Sequence, residues 1–573
     1  MTCNAYRVRT TTATIALVAG GYLVMSGTTA EPAAGESSSE ALTEGWSIQV
    51  SPGAARVDPA EDQAEARDAD ADSEKKTAAK AAEKKGNKTA GKTAETKTAD
   101  KAADSAARAR SNVDGKEDLF RPDPQYEAKY NAEGQVDVYG AKSAVEPPRP
   151  PVELGRQQYT SGAYDESSTL LGEKNPLLPG LAIYGDWRTA VAYNSNNSKD
   201  IAQIATRLNL DVDFKITGTE RIHAFFTPIQ DNTKFTRFEF GGGDADEKFN
   251  GEFDLDPQTL FFEGDVGSLY SGFSGKEASF DLPFTVGLFP LFLQNGIWAN
   301  DAILGGAVTL PARNSAALGL ANFDITFFAA FDNVDNAGNI SADEDDNPLY
   351  GVTAFVDAFD GFVETGYGLI QGRDELDGIL THFLTAAYTR RYYNTLSNST
   401  RLFANFADDP SANFLDDLEG ENDGFAIISE NSLISGLPST LIPYANFFVG
   451  FGNPQPLVDG NNAGILKNVG INFETDALTG YPKLDDTGSN AFGGAIGLQY
   501  LFNLDRQLVF EVAMVQPFED DGIGAQDAQY GFGVRYQIPI NRAWLFRADA
   551  TYQIIEGADE DNFGMRAEIR RKF

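Results

Sequence analysis

His223, His382 and Cys3 are the chain's entire supply of imidazole and thiol. A zinc centre built on Cys and His needs several such ligands together, and a hydrolytic triad needs a nucleophile, a base and a group that orients the base. Neither histidine stands in such a motif. Strand alternation predicts His223 inward beside Arg221, and His382 inward near the outer rim of a tenth strand. The expectation is no enzyme, no cofactor and no disulfide scaffold.

The charged residues able to do work are spaced two apart. The predicted lining of a central channel is Arg188, Arg207, Asp211, Asp213, Lys215, Arg221, Arg401, Glu511, Arg535, Arg547, Asp549, Arg566, Glu568 and Arg570, with Asp186, Glu364 and Lys572 on the same face. Such a spacing presents charge on one face only if the segment is a strand. In 204–216, Ile204, Leu208, Leu210, Val212, Phe214 and Ile216 fall on one face, and Arg207, Asn209, Asp211, Asp213 and Lys215 on the other. The segment is about 13 residues long. Strands of soluble sheets run about 5–6 residues, whereas about 9–11 tilted residues cross a bilayer.

The same pattern closes the chain. Tyr530, Phe532, Val534, Tyr536 and Ile538 alternate with small or polar residues, as do Trp544, Phe546, Ala548, Ala550, Tyr552 and Ile554. The last strand places Phe563, Met565, Ala567 and Ile569 opposite Gly564, Arg566, Glu568 and Arg570, and the chain ends on Phe573. These strands, apolar outward and polar inward, with a terminal Phe, resemble the Gram-negative outer-membrane porins. The resemblance covers 181–573 and rests on architecture alone. It implies an all-β, transmembrane antiparallel β-barrel in the outer membrane, open to passive diffusion of small hydrophilic solutes or ions. It further implies contact with outer-membrane lipid, recognition of Phe573 by the barrel-assembly machinery, and a homotrimer.

Parity fixes the count. Long loops are predicted at 194–202, 230–258, 289–300, 333–346, 372–379, 407–423, 453–490, 518–527 and 556–561, which gives about 18 strands, with 16 as the alternative. Counting this way keeps Leu466 to Phe473 inside a loop. Four loops carry five, seven, four and four acids (333–346, 407–423, 518–527 and 556–561) and no Lys or Arg. Solubility of an exposed face accounts for them; divalent-cation binding, densest at Asp343 to Asp346, is the alternative. Loops 453–490 and 230–258 are long enough to fold inward. Loop 289–300 is unusually apolar, so Trp298 is expected to pack inside the barrel or against a neighbouring subunit, with sugar stacking as a second role.

Upstream of the barrel the composition changes. Residues 1–30 have a basic start at Arg7 and Arg9, an apolar run from Ala13 to Met25 and small residues to Ala30, the pattern of a signal peptide. Residues 31–115 form a low-complexity linker, and between Ala60 and Asn112 there is no Val, Ile, Leu, Met or aromatic residue. No core can form from that, so disorder is predicted. Lys75 to Lys101 holds nine Lys against three acids, a solvated arm or a basic contact with the anionic cell wall, peptidoglycan included, or with the inner leaflet. Residues 116–180 form a periplasmic linker stiffened by Pro147, Pro148, Pro150 and Pro151.

Charge excludes more. The 573-residue chain carries a net −38, which argues against nucleic acid as a partner. The span 180–573 holds 24 Lys and Arg against 56 Asp and Glu, a net −32, yet its predicted inward positions are mostly basic. Three readings of that wall stay open: cross-strand charge balance, a basic ladder for anionic solutes, or a filled interior. A substrate-specific channel for carbohydrate or anions, and a barrel anchoring the cell wall through its Lys-rich arm, are the functional alternatives.

Overall fold

The computed structural model describes residues 150–573, apart from 156–167, 197–198, 232–233, 241–247, 316, 318–319, 337–346, 374–377, 394, 409–422, 435–440, 461–462, 475–477, 503–505, 519–523 and 542. The expected signal peptide, the low-complexity linker with its Lys-rich arm, most of the 116–180 linker and the Asp343 to Asp346 cluster lie outside these residues.

Alternating side chains on long, Gly- and aromatic-rich segments produce one continuous sheet. Strand β1 (Val152–Gly155) precedes the barrel, and β2 (Gly180–Asn196) and β3 (Lys199–Lys215) form its first hairpin. The third stave is split into β4 (Arg221–Phe226) and, after the short β5 (Gln230–Asp231), β6 (Lys234–Phe240). The fourth is split into β7 (Lys248–Asn250) and β8 (Pro257–Asp265). Helix α1 (Val266–Ser274) leads to β9 (Pro283–Leu293), β10 (Ala299–Ser315) and β11 (Leu320–Asp332). Next come β12 (Leu349–Ala358), β13 (Gly361–Gln371), β14 (Leu380–Tyr392), β15 (Leu396–Asp408), β16 (Gly424–Leu433) and β17 (Leu441–Gly452). The two-residue β18 (Val458–Asp459) lies within the following connection. The chain finishes with β19 (Ala491–Phe502), β20 (Arg506–Pro517), β21 (Gln529–Pro539), β22 (Trp544–Ile555) and β23 (Asn562–Lys572).

Neighbouring staves pair antiparallel, and β23 returns to β2 from Asp186 opposite Lys572 to Ser195 opposite Phe563. The result is a closed barrel of 18 staves, the split ones counted once. Closure removes the open edges that would leave backbone groups unpaired in a membrane. Burial follows the alternation: Trp187, Val191 and Tyr193 are exposed on the outside of β2, while Arg188, Ala190 and Ala192 between them are buried.

One end of the barrel has the long connections and the other the tight ones. The β12–β13 turn is two residues, Phe359 and Asp360, both at positive φ (57° and 58°), as a type I′ hairpin turn requires. Connections 372–379, 453–490 and 556–561 fall where the loops are predicted, and Leu466 to Phe473 contains no strand. Three predicted loops are overestimated. β2 and β3 leave only 197–198 between them, and β9 and β10 pair up to Leu293 opposite Ala299. The 230–258 stretch holds β5, β6, β7 and the start of β8. In each case the ladder runs on past the predicted strand end, because pairing needs only backbone.

Chain entry is built at the tight-turn end. β1 pairs with β2 (Val152 opposite Ile183), beyond the point where Phe573 and Gly185 exchange backbone hydrogen bonds at 3.0 Å. Residues 168–179 then strap across the rim. Buried Glu220, in the β3–β4 turn, knits this region. Its carboxylate accepts from Asn175 Nδ2 (2.8 Å) on the strap, from the hydroxyls of Thr217 and Thr219, and from Asp265 N (3.3 Å) before α1. Burial opposes ionisation of Glu220, but these hydrogen bonds outweigh it and hold the carboxyl below its usual value. A carboxyl depressed by folding stabilises above its unfolded pKa and loses that contribution as pH falls. We therefore expect protease nicking of the strap in refolded protein to rise as pH drops from 6 to about 3. Glu220→Gln is expected to flatten that pH dependence; unchanged sensitivity would show that Glu220 does not hold the strap.

Candidate functional site

The interior has two unlike walls and a connection stretched between them. On the first wall, inward residues of adjacent strands stand in rows. Arg188 on β2 lies opposite Arg207 on β3 and Arg570 on β23. Three cations in a row would repel, and the next row supplies the counter-charge. Buried Glu568 accepts from Arg188 Nη2 at 2.7 Å and from Arg570 Nη2 at 3.2 Å. Ala190 and Ala205 beside Glu568 leave room for the long side chains.

One row further toward the long loops, Asp549 on β22 gathers three arginines. Arg535 Nε binds its Oδ1 at 2.6 Å, and Arg547 Nε and Arg566 Nε bind its Oδ2 at 2.8 and 2.9 Å. Arg547 Nη2 also reaches Glu474 at 3.0 Å, and Arg535 pairs with the same Glu474. Every link is a charge-assisted hydrogen bond, the stronger class. Arg207 donates to Asn209, which donates to Asp186 (2.8 and 3.1 Å).

The second wall, on β9 to β17, is apolar inside. Leu349, Ile370, Phe383, Phe403, Ile428 and Phe448 are inward and at most 5% exposed. The 453–490 connection crosses from this wall to the first. β18 pairs parallel with β10, and Leu457 N donates to Trp298 O at 2.7 Å. Leu457, Val458, Ile465, Leu466 and Phe473 join the apolar core. Glu511 on β20 then clamps the crossing: its carboxylate accepts from Ile471 N (2.9 Å), Asn472 N (2.9 Å), Asn472 Nδ2 (2.8 Å) and the Tyr444 hydroxyl. At the far side Thr479 O accepts from Asn194 and Gln203, and the Arg566 guanidinium sits 5.4 Å from the Tyr481 ring centroid. Lys467 pairs with Asp459 within the connection itself.

Trp298 packs inside the barrel, 1% exposed, against the strand at Gly366, where a Cβ would come within 2.5 Å of the indole. This settles the predicted choice between interior and neighbouring subunit and leaves the ring no free face for sugar. Trp298→Ala removes the centre of the apolar wall and is expected to cost about 3–5 kcal/mol, read as a lower temperature of loss of the compact band on unboiled gels.

The other predicted residues are spread out. Near the tight-turn end Arg221 bridges Glu263 (3.0 Å) and Asp213 (3.7 Å), and His223 Nε2 lies 3.2 Å from Glu263. Asp211 and Lys215 share that face of β3. Arg401, inward on the apolar wall, pairs with Glu430 at 2.8 Å. His382 is a correction: it faces outward, stacked on Phe406 and hydrogen-bonded to Tyr367. Its strand neighbours Thr381 and Phe383 are the buried ones. Among the described residues no group of three His, Cys, Asp or Glu is arranged to hold a metal ion. Glu474, Asn472, Tyr481 and Tyr444 were not predicted as site residues; the first three lie in a connection with no periodicity to place them.

A closed even-numbered barrel, an apolar outer face, tight turns at one end and long loops at the other are the architecture of outer-membrane barrels. The chain folds as a barrel of this outer-membrane type. No family model and no curated protein matches its sequence. Among solved structures, the barrel is similar to OccK2 (OpdF) of Pseudomonas aeruginosa, at a TM-score of 0.46 and 11% identity over 69% of this chain and 97% of that one. It is similar to a BenF-like porin from Pseudomonas fluorescens Pf-5, at 0.46 and 10% over 69% and 98%. It is also similar to Pseudomonas aeruginosa OpdK with vanillate, at 0.44 and 10% over 68% and 98%.

Proposed function

We propose that the porin-like barrel is a passive channel for small hydrophilic solutes, with its path along the arginine wall and the 453–490 connection as its constriction. The observation that carries this reading is the asymmetry of the interior. An apolar wall holds the crossing segment, and facing it stands a wall of paired charges, mostly buried, with Glu474, Arg535 and Arg570 its more open members. Arg188, Arg207, Arg535, Arg547, Arg566 and Arg570 outnumber Asp186, Glu474, Glu511, Asp549 and Glu568 by one formal charge. Arg and Lys lining a pore favour anions, so the wall supports a preference for anionic solutes, against the acidic outer loops. Carbohydrate is the weaker substrate class, because Trp298 has no exposed ring face.

The test is the full chain refolded in detergent and placed in a planar bilayer under a salt gradient. Small discrete steps with an anion-selective reversal potential are expected. A folded, heat-modifiable barrel that never conducts would overturn the channel reading. Flux that saturates with one anion would make it substrate-specific.

A second reading adds an anchoring role. β1 and Phe573 lie together at the tight-turn, periplasmic end, so the Lys-rich 75–101 arm precedes a strand on the cell-wall side. Deleting 75–101 should release the protein from peptidoglycan fractions if the arm binds there; unchanged retention would remove that role.

A further inference from the structure

Helix α1 lies at the same end as the β12–β13 turn, and its two faces differ. One face is closed by glycine: a Cβ at Gly272 would lie 2.1 Å from Leu171 O, and one at Gly172 would lie 1.9 Å from Gly272 O. Helix and strap therefore touch backbone to backbone. Asp265 caps the helix, accepting from Ser268 N at 2.7 Å, and its other oxygen accepts from Leu282 N at 2.7 Å, so the excursion is rigidly closed onto the ends of β8 and β9.

The opposite face is apolar and bare. Val266, Tyr270 and Phe273 fall at i, i+4 and i+7, one stripe of a helix, and are 37%, 48% and 73% exposed. Phe280 extends the stripe, its ring centroid 6.3 Å from that of Tyr270, and Leu170 on the strap is also exposed. No residue of the helix is charged; Lys276 and Glu277 come only after its end. Aromatic side chains gathered on an uncharged surface mark a contact site.

Continuity identifies what covers it. The outward faces of β8 and β9 carry exposed Leu260 and Val286, and the Phe262 and Phe284 rings pair at 5.7 Å next to the helix. This is the lipid-facing wall of the barrel, and it runs into Val266 without a charged side chain between. A short helix with an apolar stripe continuous with that wall fits the boundary between headgroups and acyl chains, where aromatic rings collect.

We propose that α1 is an interfacial anchor, with Val266, Tyr270, Phe273 and Phe280 seated in the periplasmic leaflet of the outer membrane. The anchor fixes the depth of the barrel on this side and, through the Gly172–Gly272 contact, ties the strap to the membrane surface.

The chain's single cysteine makes a direct test simple. In full-length protein carrying Cys3→Ser, a nitroxide is attached to Tyr270→Cys or Phe273→Cys, with Val286→Cys as the lipid reference and Lys276→Cys as the water reference. After refolding into phosphatidylethanolamine–phosphatidylglycerol vesicles, collisions with oxygen and with a water-soluble nickel chelate are measured by electron paramagnetic resonance. Labels at 270 and 273 are expected to resemble 286, relaxed by oxygen more than by nickel, while 276 shows the reverse. A label at 273 as open to nickel as 276 would overturn the proposal, leaving the helix in water. Screening of 270 and 273 from both reagents would also overturn it, and would mean that protein covers the stripe. Neither result depends on conduction.

Discussion

Glu511→Ala is expected to raise single-channel conductance several-fold and to make the open level noisy. The Glu511 carboxylate holds the middle of the 453–490 crossing, through Ile471 N, Asn472 N and Asn472 Nδ2. The fit is close: at Gly470 an added Cβ would lie 2.5 Å from its Oε2. Hydrogen bonds to a charged group are each worth roughly 1.5–3 kcal/mol net, and a buried donor left unpaired costs about 1–3 kcal/mol more. Alanine removes the acceptor and strands both backbone N–H groups, which regain partners only if the crossing lifts toward water. The Leu457 and Leu466 end stays packed on the apolar wall, so the segment swings rather than leaves, and the current fluctuates. Glu511→Gln is expected to lie between, since its carbonyl can still accept while its NH2 faces donors. Single-channel recording of variants that keep heat-modifiable mobility is the measurement. A folded Glu511→Ala barrel with unchanged conductance would mean that the crossing does not obstruct the path.

The second large effect is on selectivity. Arg535, Arg547 and Arg566 converge on Asp549, and two of them share Glu474. Replacing all three with Ser changes the local charge by three and leaves both carboxylates without these partners. The reversal potential under a salt gradient is expected to change sign toward cations. Asp549→Asn moves the charge the other way and is expected to strengthen anion preference. Breaking a buried ion pair by removing one partner costs roughly 3–5 kcal/mol, so the triple variant is expected to unfold at lower temperature as well. Recording near 1 M salt, where screening falls to about 3 Å, should shrink any contribution from the acidic loops and leave that of the wall. A reversal potential that stays put in folded variants would place these arginines off the conducting path.

Much of the architecture was legible in the sequence because a bilayer imposes a simple rule on strands. Apolar positions two apart place Trp187, Val191 and Tyr193 outside and Arg188 inside. A terminal Phe573 and the parity of long and short connections then give 18 staves. Loop ends were less legible, since the ladder between β9 and β10 continues to Leu293 and Ala299 wherever backbone can pair.

Two features required the tertiary structure. Alternation could not orient His382, because on β14 the inward Phe383 is as apolar as the outward Leu384. That happens because the inside of β9 to β17 packs against protein from the 453–490 connection, so both faces of those strands are greasy and the two-residue period loses its sense of direction. Nor could alternation show that the arginines are paired. Arg547 and Asp549 are two residues apart on one strand and meet there, but Glu474 and Arg188's partner Glu568 arrive from 73 and 380 residues away. The sequence by itself determined a membrane barrel with charge on its inside. Only the closed fold decided which charges meet and what fills the space between the walls, because both are set by distances across the lumen, and a strand pattern carries only distances along the chain.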